Sequence, residues 1–103
     1  METFIEKYQQ SLIELCRQYH VNRLDVFGSV VVGDFDGSSS DIDFLVEFDQ
    51  SVNEHRFDNY FNLLWDLERL FGKSIDLVEP GGLRNPYFIR RVNETRRQIY
   101  AAS

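Results

Sequence analysis

Apolar residues recur along the chain with two different periods, and the longer period predicts helices. Helical spacing runs from Phe4 to about His20 and follows a capping box at residues 3–6. A second capping box at residues 51–54 predicts a long helix that ends at Gly72, since glycine is the usual residue just beyond a helix. Its expected core-facing stripe consists of Phe57, Tyr60, Phe61, Leu64, Leu67 and Phe71.

Alternation with a period of two predicts strands between these helices. Residues 24–27 form an apolar run, and residues 42–48 and 74–78 alternate between apolar and polar side chains. The second strand places Ile42, Phe44, Val46 and Phe48 on one face and Asp41, Asp43, Leu45 and Glu47 on the other. The third strand places Ile75 and Leu77 opposite Asp76 and Val78.

The remaining segments complete this order of elements. Residues 29–33 can form a helical turn, and residues 34–40 read as a loop. Asn85 and Pro86 suit the N-cap and first position of a short helix that runs to about Asn93. Residues 97–100 either add a last strand or trail off. We therefore predict one α/β or α+β domain spanning residues 1–103, with helices packed on one face of a small sheet.

Composition narrows the range of functions. The 103 residues carry a net charge of −6, which argues against general binding of DNA or RNA because phosphate backbones attract basic surfaces. No membrane span or signal pattern is found, so we expect a cytoplasmic protein. Cys16 is the single cysteine and is expected to be buried. Trp65 is expected in the core, although fifteen aromatic residues are enough for some to serve a protein interface.

The stretch from Gly28 to Asp43 carries the candidate chemistry. Gly28 and Ser29 follow the first strand, where free backbone N–H groups suit a phosphate. Asp41 and Asp43 point the same way about 6.6 Å apart, so both carboxylates can converge on hard cations. Asp76 adds a third carboxylate from the next strand. The alternatives are an edge strand with an acidic solvent face, a capping role for Ser29 and a solvent-facing Asp76.

Other charged residues have simpler expected roles. His20 and His55 have no ligand partners at useful spacing and are expected on the surface. Glu47 is expected to be a solvated charge. The basic residues of the second half are expected to be solvated, with phosphate or partner contact as the alternative; they are Lys73, Arg84, Arg90 and Arg91.

The combination of Gly28-Ser29 with Ser40-Asp41-Ile42-Asp43 and a strand-borne Asp76 resembles the signature of the polymerase-β-like nucleotidyltransferases. The likeness covers nearly the whole chain and is strongest to the minimal nucleotidyltransferases, which are usually encoded beside a helical HEPN-family protein.

This resemblance implies a mixed sheet whose other face carries the active site. By the same resemblance, Asp41, Asp43 and Asp76 would be the catalytic carboxylates and the ligands of two Mg²⁺ ions. Gly28 and Ser29 would contact the terminal phosphates of ATP. The protein would then transfer AMP to a tyrosine of a HEPN-family toxin and act as its antitoxin.

Two departures from the family pattern leave a second hypothesis open. Val32 stands where active members often have arginine, and eleven residues separate Ser29 from Asp41 where ten are usual. The alternative is a catalytically weak or inactive protein of the same fold that neutralises or scaffolds its partner by binding alone. Transfer to a small molecule such as an aminoglycoside is a third and poorer hypothesis, because the sequence shows no added acceptor-binding domain.

Overall fold

The computed structural model describes residues 5–28, 41–51 and 55–102. The described ranges contain four strands, β1 (Val21–Phe27), β2 (Ile42–Phe48), β3 (Ile75–Val78) and β4 (Arg97–Ala101). The α-helices in these ranges are α1 (Gln9–Gln18), α2 (Arg56–Phe71) and α3 (Pro86–Thr95), and a short 3₁₀ helix covers Pro80–Gly82. The predicted α+β class is confirmed.

The strands form one mixed sheet in the order β3-β2-β1-β4. β1 pairs antiparallel with β2 on one side and with β4 on the other. β2 and β3 are parallel, because α2 carries the chain back along the sheet between them. The chain-terminal segment that the sequence left open therefore forms an edge strand.

The main core lies on one face of the sheet, beneath α1 and α2. The apolar residues of the alternating strands point into it as predicted, and Leu12 and Cys16 of α1 are fully buried. Tyr19 donates a hydrogen bond to Asp66 of α2, which ties the end of one helix to the other. This layer confirms the predicted burial of Cys16.

The third helix corrects the prediction that the helices pack on one face. α3 covers part of the opposite face, where Val92 packs in a second apolar cluster with Phe27 and Leu45. Leu45 interrupts the polar pattern of its strand face because an apolar residue is needed there to bury the helix. The helix α3 thus covers part of the sheet face that carries the acidic residues.

The predicted stripe of α2 was wrong in part. Leu63, Leu67 and Phe71 are its buried residues, whereas Phe57 is 75% exposed. Trp65, predicted in the core, is 55% exposed. Phe57, Phe61 and Trp65 instead follow one another at four-residue intervals along the helix, with ring centroids 4.6 and 6.0 Å apart.

Helix ends agree with the sequence where the structure describes them. Gly72 adopts φ +65° beyond α2, and the Asn85 side chain accepts a hydrogen bond from the Tyr87 N–H before α3. The predicted capping boxes, helical turn and loop fall wholly or partly on residues 1–4, 29–40 and 52–54, outside the described residues. None of the described helices has the length and apolar character needed to cross a membrane.

Candidate active site

Two of the three predicted carboxylates lie side by side on neighbouring strands. In the parallel pairing of β2 with β3, Asp43 is the register partner of Asp76. Neighbouring strands are about 4.8 Å apart, which is closer than the spacing of Asp41 and Asp43 along one strand. Asp43 is half-buried, and both Asp41 and Asp76 are exposed. The sheet therefore brings carboxylates from two elements together on the face opposite the main core.

Gly28 allows the chain to approach this pair closely. It follows β1, whose last residue Phe27 is the register partner of Asp43. Gly28 has φ +80°, and a Cβ atom there would lie 2.5 Å from Asp43 Oδ2. Both the backbone conformation and the limited space beside Asp43 favour glycine at this position.

The electrostatic environment disfavours ionisation of Asp43. Burial raises the pKa of its carboxyl group to about 6, and the negative charges of Asp76 and Asp41 add to this effect. Arg91 acts in the opposite direction and lowers the pKa. A bound cation would relieve the repulsion among the carboxylates, so their placement suits a hard divalent metal ion.

The described residues do not form a ready-made cluster of three metal ligands. Within residues 5–28, 41–51 and 55–102, no three carboxylate, imidazole or thiolate groups lie close enough to bind one ion. The oxygen-only donor set fits Mg²⁺, whose six ligands usually include water and substrate phosphate as well as carboxylates.

The end of α3 is fastened to the glycine turn by hydrogen bonds. The Gly28 N–H donates to Thr95 Oγ1 at 2.9 Å, and the Thr95 hydroxyl donates to the Arg91 carbonyl at 2.6 Å. This helical back-bond positions Thr95 as an acceptor for Gly28. The backbone of Arg91 is consequently linked through one side chain to the turn that contacts Asp43.

A buried ion pair lies next to this connection. Asp25 of β1 is fully buried and on the same sheet face as Asp43. Arg96 Nε lies 2.7 Å from its Oδ2, and Arg23 Nε lies 3.1 Å from its Oδ1. Because Arg96 directly follows Thr95, the pair holds the end of α3 against β1.

Asp25, Thr95 and Arg96 were not among the site residues predicted from the sequence. Aspartate within an apolar strand was the available signal for Asp25, since a buried carboxylate requires a partner. No sequence pattern identified Thr95 or Arg96 as its neighbours. Ser29 lies outside the described residues, so its predicted phosphate contact stays a prediction.

The remaining charged candidates separate in the structure. Arg84, Arg90 and Arg91 are all exposed, and Arg91 is close enough to Asp43 to lower the pKa of its carboxyl group. His20 and His55 are exposed, as predicted, and both adopt positive φ at turns. Glu47 is half-buried rather than fully solvated.

Comparison with known proteins agrees with this arrangement. A family profile described as "Nucleotidyltransferase domain" matches residues 9–99. A protein of Methanocaldococcus jannaschii that is named a protein adenylyltransferase, MJ1379, is 35% identical over 77 residues, which cover 75% of each chain.

Solved structures show the same fold. A structure described as a minimal nucleotidyltransferase is 27% identical, with a TM-score of 0.73 and coverage of 92% of both chains. The MNT antitoxin fold also appears in a complex with a tri-AMPylated HEPN toxin from Shewanella oneidensis. That match has a TM-score of 0.61 at 18% identity and covers 94% of this chain and 73% of the other.

Proposed function

The chain belongs to the nucleotidyltransferase domain family, which confirms the enzyme class expected from its sequence, and we propose that it transfers AMP from Mg·ATP to a protein hydroxyl. One observation carries this proposal. Asp43 and Asp76 are register partners on the parallel strands β2 and β3, and Gly28 contacts Asp43 from the end of β1. Carboxylates and a glycine turn thus meet at one edge of the sheet.

Asp41, Asp43 and Asp76 are the residues that would hold two Mg²⁺ ions. When bound, the ions would neutralise charge on the triphosphate and on the oxygens that attack and leave. Gly28 and Ser29 would direct backbone N–H groups at the terminal phosphates. Because Gly28 packs closely against Asp43, one carboxylate oxygen would lie next to that phosphate site.

The chain's carboxylates also account for the proton that must leave the acceptor. A hydroxyl oxygen attacks the α-phosphorus of ATP, the bond to the β-phosphate bridging oxygen breaks, and pyrophosphate leaves. Asp76 is exposed at the edge of the site, where it can help to take the hydroxyl proton. Asp43 is more buried, so it would act mainly as a metal ligand.

The proposed acceptor is a tyrosine of a HEPN-family helical protein, and the proposed role is that of a cytoplasmic antitoxin. The support comes from the AMPylated HEPN toxin found in complex with an MNT antitoxin of the same fold. The aromatic row of Phe57, Phe61 and Trp65 on α2, whose two end residues are exposed, is compatible with a protein partner.

The test is transfer of labelled AMP in the presence of Mg²⁺ and the co-purifying partner, followed by intact mass of both proteins. We expect the partner to gain the mass of one or more AMP groups, and Asp41→Asn with Asp43→Asn to abolish the gain. Tight partner binding with no transfer by the wild-type protein would refute catalysis and support the binding-only alternative.

A further inference from the structure

We propose that Arg91 binds the polyphosphate of the nucleotide and that Thr95 is the residue that positions it. This inference rests on the proposed function and adds a phosphate-binding residue outside the Gly28-Ser29 and aspartate motifs. It concerns α3, the helix that covers part of the acidic sheet face.

The position of Arg91 relative to the carboxylates is set by hydrogen bonds and packing. Its carbonyl accepts from Thr95, which in turn accepts from the Gly28 N–H, and Gly28 contacts Asp43. Val92, the next residue, is 1% exposed beneath the helix and packs with Phe27 and Leu45. The backbone at Arg91 is therefore held on two sides.

The Arg91 side chain combines exposure with proximity to the site. It is exposed to solvent and lies close enough to Asp43 for its positive charge to lower the pKa of that carboxyl group, although burial and the neighbouring carboxylates have larger effects. An exposed guanidinium beside a metal-binding carboxylate site can reach an incoming phosphate without first breaking a buried contact. Arginine is well suited to this because its planar group donates paired hydrogen bonds to phosphate oxygens.

The negative charge of the site and of the nucleotide favours a positively charged residue here. Three carboxylates and a chain of net charge −6 repel a triphosphate. Divalent ions would offset part of that repulsion, and the guanidinium group of Arg91, held on α3 beside the site, would offset more. Arg90 provides a matched comparison, because it is exposed on the same helix but lies about 100° around the helix axis from Arg91.

The binding test uses the whole protein with Mg²⁺ and an ATP analogue whose α,β-bridging oxygen is replaced by carbon. Isothermal titration compares the wild-type protein with Arg91→Gln, Arg91→Lys and Arg90→Gln. We expect about tenfold weaker binding for Arg91→Gln, partial recovery for Arg91→Lys and no change for Arg90→Gln. The affinity of Arg91→Gln should also fall less steeply with added salt, and its loss should be smaller for AMP than for the ATP analogue.

The positioning role of Thr95 is tested by a double-mutant cycle. Thr95→Val should weaken binding of the analogue, Thr95→Ser should restore it, and Arg91→Gln should add little in the Thr95→Val background. Additive losses would overturn the positioning role. If the wild-type protein binds the Mg²⁺–analogue complex and Arg91→Gln binds it equally well, the Arg91 assignment is wrong. If the wild-type protein does not bind the complex at all, the proposed function fails instead.

Discussion

Replacing Gly28 by alanine tests whether the glycine turn sets the position of the catalytic carboxylate. The new Cβ would lie 2.5 Å from Asp43 Oδ2, about 1 Å inside ordinary contact distance. Since the atom it meets is the end of a side chain, the expected response is rotation of the carboxylate rather than loss of the fold.

The matched control is Gly72→Ala. Gly72 has φ +65°, close to the +80° of Gly28, but a Cβ there meets nothing within 4 Å. A left-handed backbone costs an alanine about 1–2 kcal/mol, and this strain is common to both variants. Displacement of Asp43 from its rotamer adds about 0.5–1.5 kcal/mol for Gly28→Ala alone.

The two variants should therefore differ modestly in stability and strongly in function. For a domain of this size, 1 kcal/mol corresponds to a shift in melting temperature of about 4–8 °C. A misplacement of about 1 Å in a reacting arrangement can lower the rate about a hundredfold. We expect Gly28→Ala to lose most Mg²⁺-dependent nucleotide binding and transfer, while Gly72→Ala keeps both.

Thermal unfolding by circular dichroism and titration with the Mg²⁺–ATP analogue complex measure the two effects on the same samples. Equal nucleotide binding by both alanine variants would refute the reasoning, because it would show that the space beside Asp43 is not needed. A collapse of the Gly28→Ala fold would contradict the expectation that the side chain yields.

Further predictions concern the metal site, the ligand, the buried ion pair and the cysteine. Because the pKa of Asp43 is raised to about 6, its folded form retains a proton between about pH 4 and 6, so the contribution of Asp43 to wild-type stability should fall as pH rises through that window. The double variant Asp41→Asn with Asp43→Asn should lack this contribution. Melting temperatures of the wild-type and variant proteins at pH 4 and pH 7 in EDTA measure the difference, and an equal pH dependence of the two proteins would contradict the prediction. ATP should raise the melting temperature in the presence of Mg²⁺ or Mn²⁺ but not in EDTA, because the acidic site repels a triphosphate without bound metal. Equal stabilisation in EDTA would count against the metal assignment. Asp25→Asn should lower the free energy of unfolding, measured in urea, by about 2–3 kcal/mol. This is less than the loss expected on breaking a fully buried ion pair, because Arg96 and Arg23 are partly exposed. A change below about 0.5 kcal/mol would argue against a stabilising role for this ion pair. Burial raises the pKa of the Cys16 thiol to about 12, so it should react with a thiol reagent only after unfolding, and rapid labelling of the native protein would contradict its burial.

The elements with strong local signals were predictable from the sequence. The β2 boundaries follow from an alternation that Leu45 interrupts, and the end of α2 follows from Gly72 because a left-handed residue there favours glycine. The polar positions Asp43 and Asp76 on alternating strands also indicated the face that carries the candidate site. These are features that neighbouring residues determine.

Features that depend on tertiary packing were not predictable in the same way. The apolar stripe of α2 is wide, and the sequence did not show that the sheet would cover Leu63 rather than Phe57. The position of α3 depends on the contact between Val92 and Leu45, the apolar residue on the otherwise polar face of β2. The sequence of β2 alone does not show which element covers Leu45. The single-domain assignment for residues 1–103 and the metal-binding roles of the three aspartates stay predictions.

The parallel register of β2 and β3 limits where the chain can change in length. Asp76 faces Asp43 only while Ile75 and Leu77 point into the core, because side chains alternate along a strand. One residue inserted within β3 would turn Asp76 inward and expose apolar neighbours, whereas an insertion at residues 49–51, ahead of α2, need not alter that pairing. Relatives of this chain should therefore accommodate insertions before α2 and keep a constant length from Gly72 to Asp76.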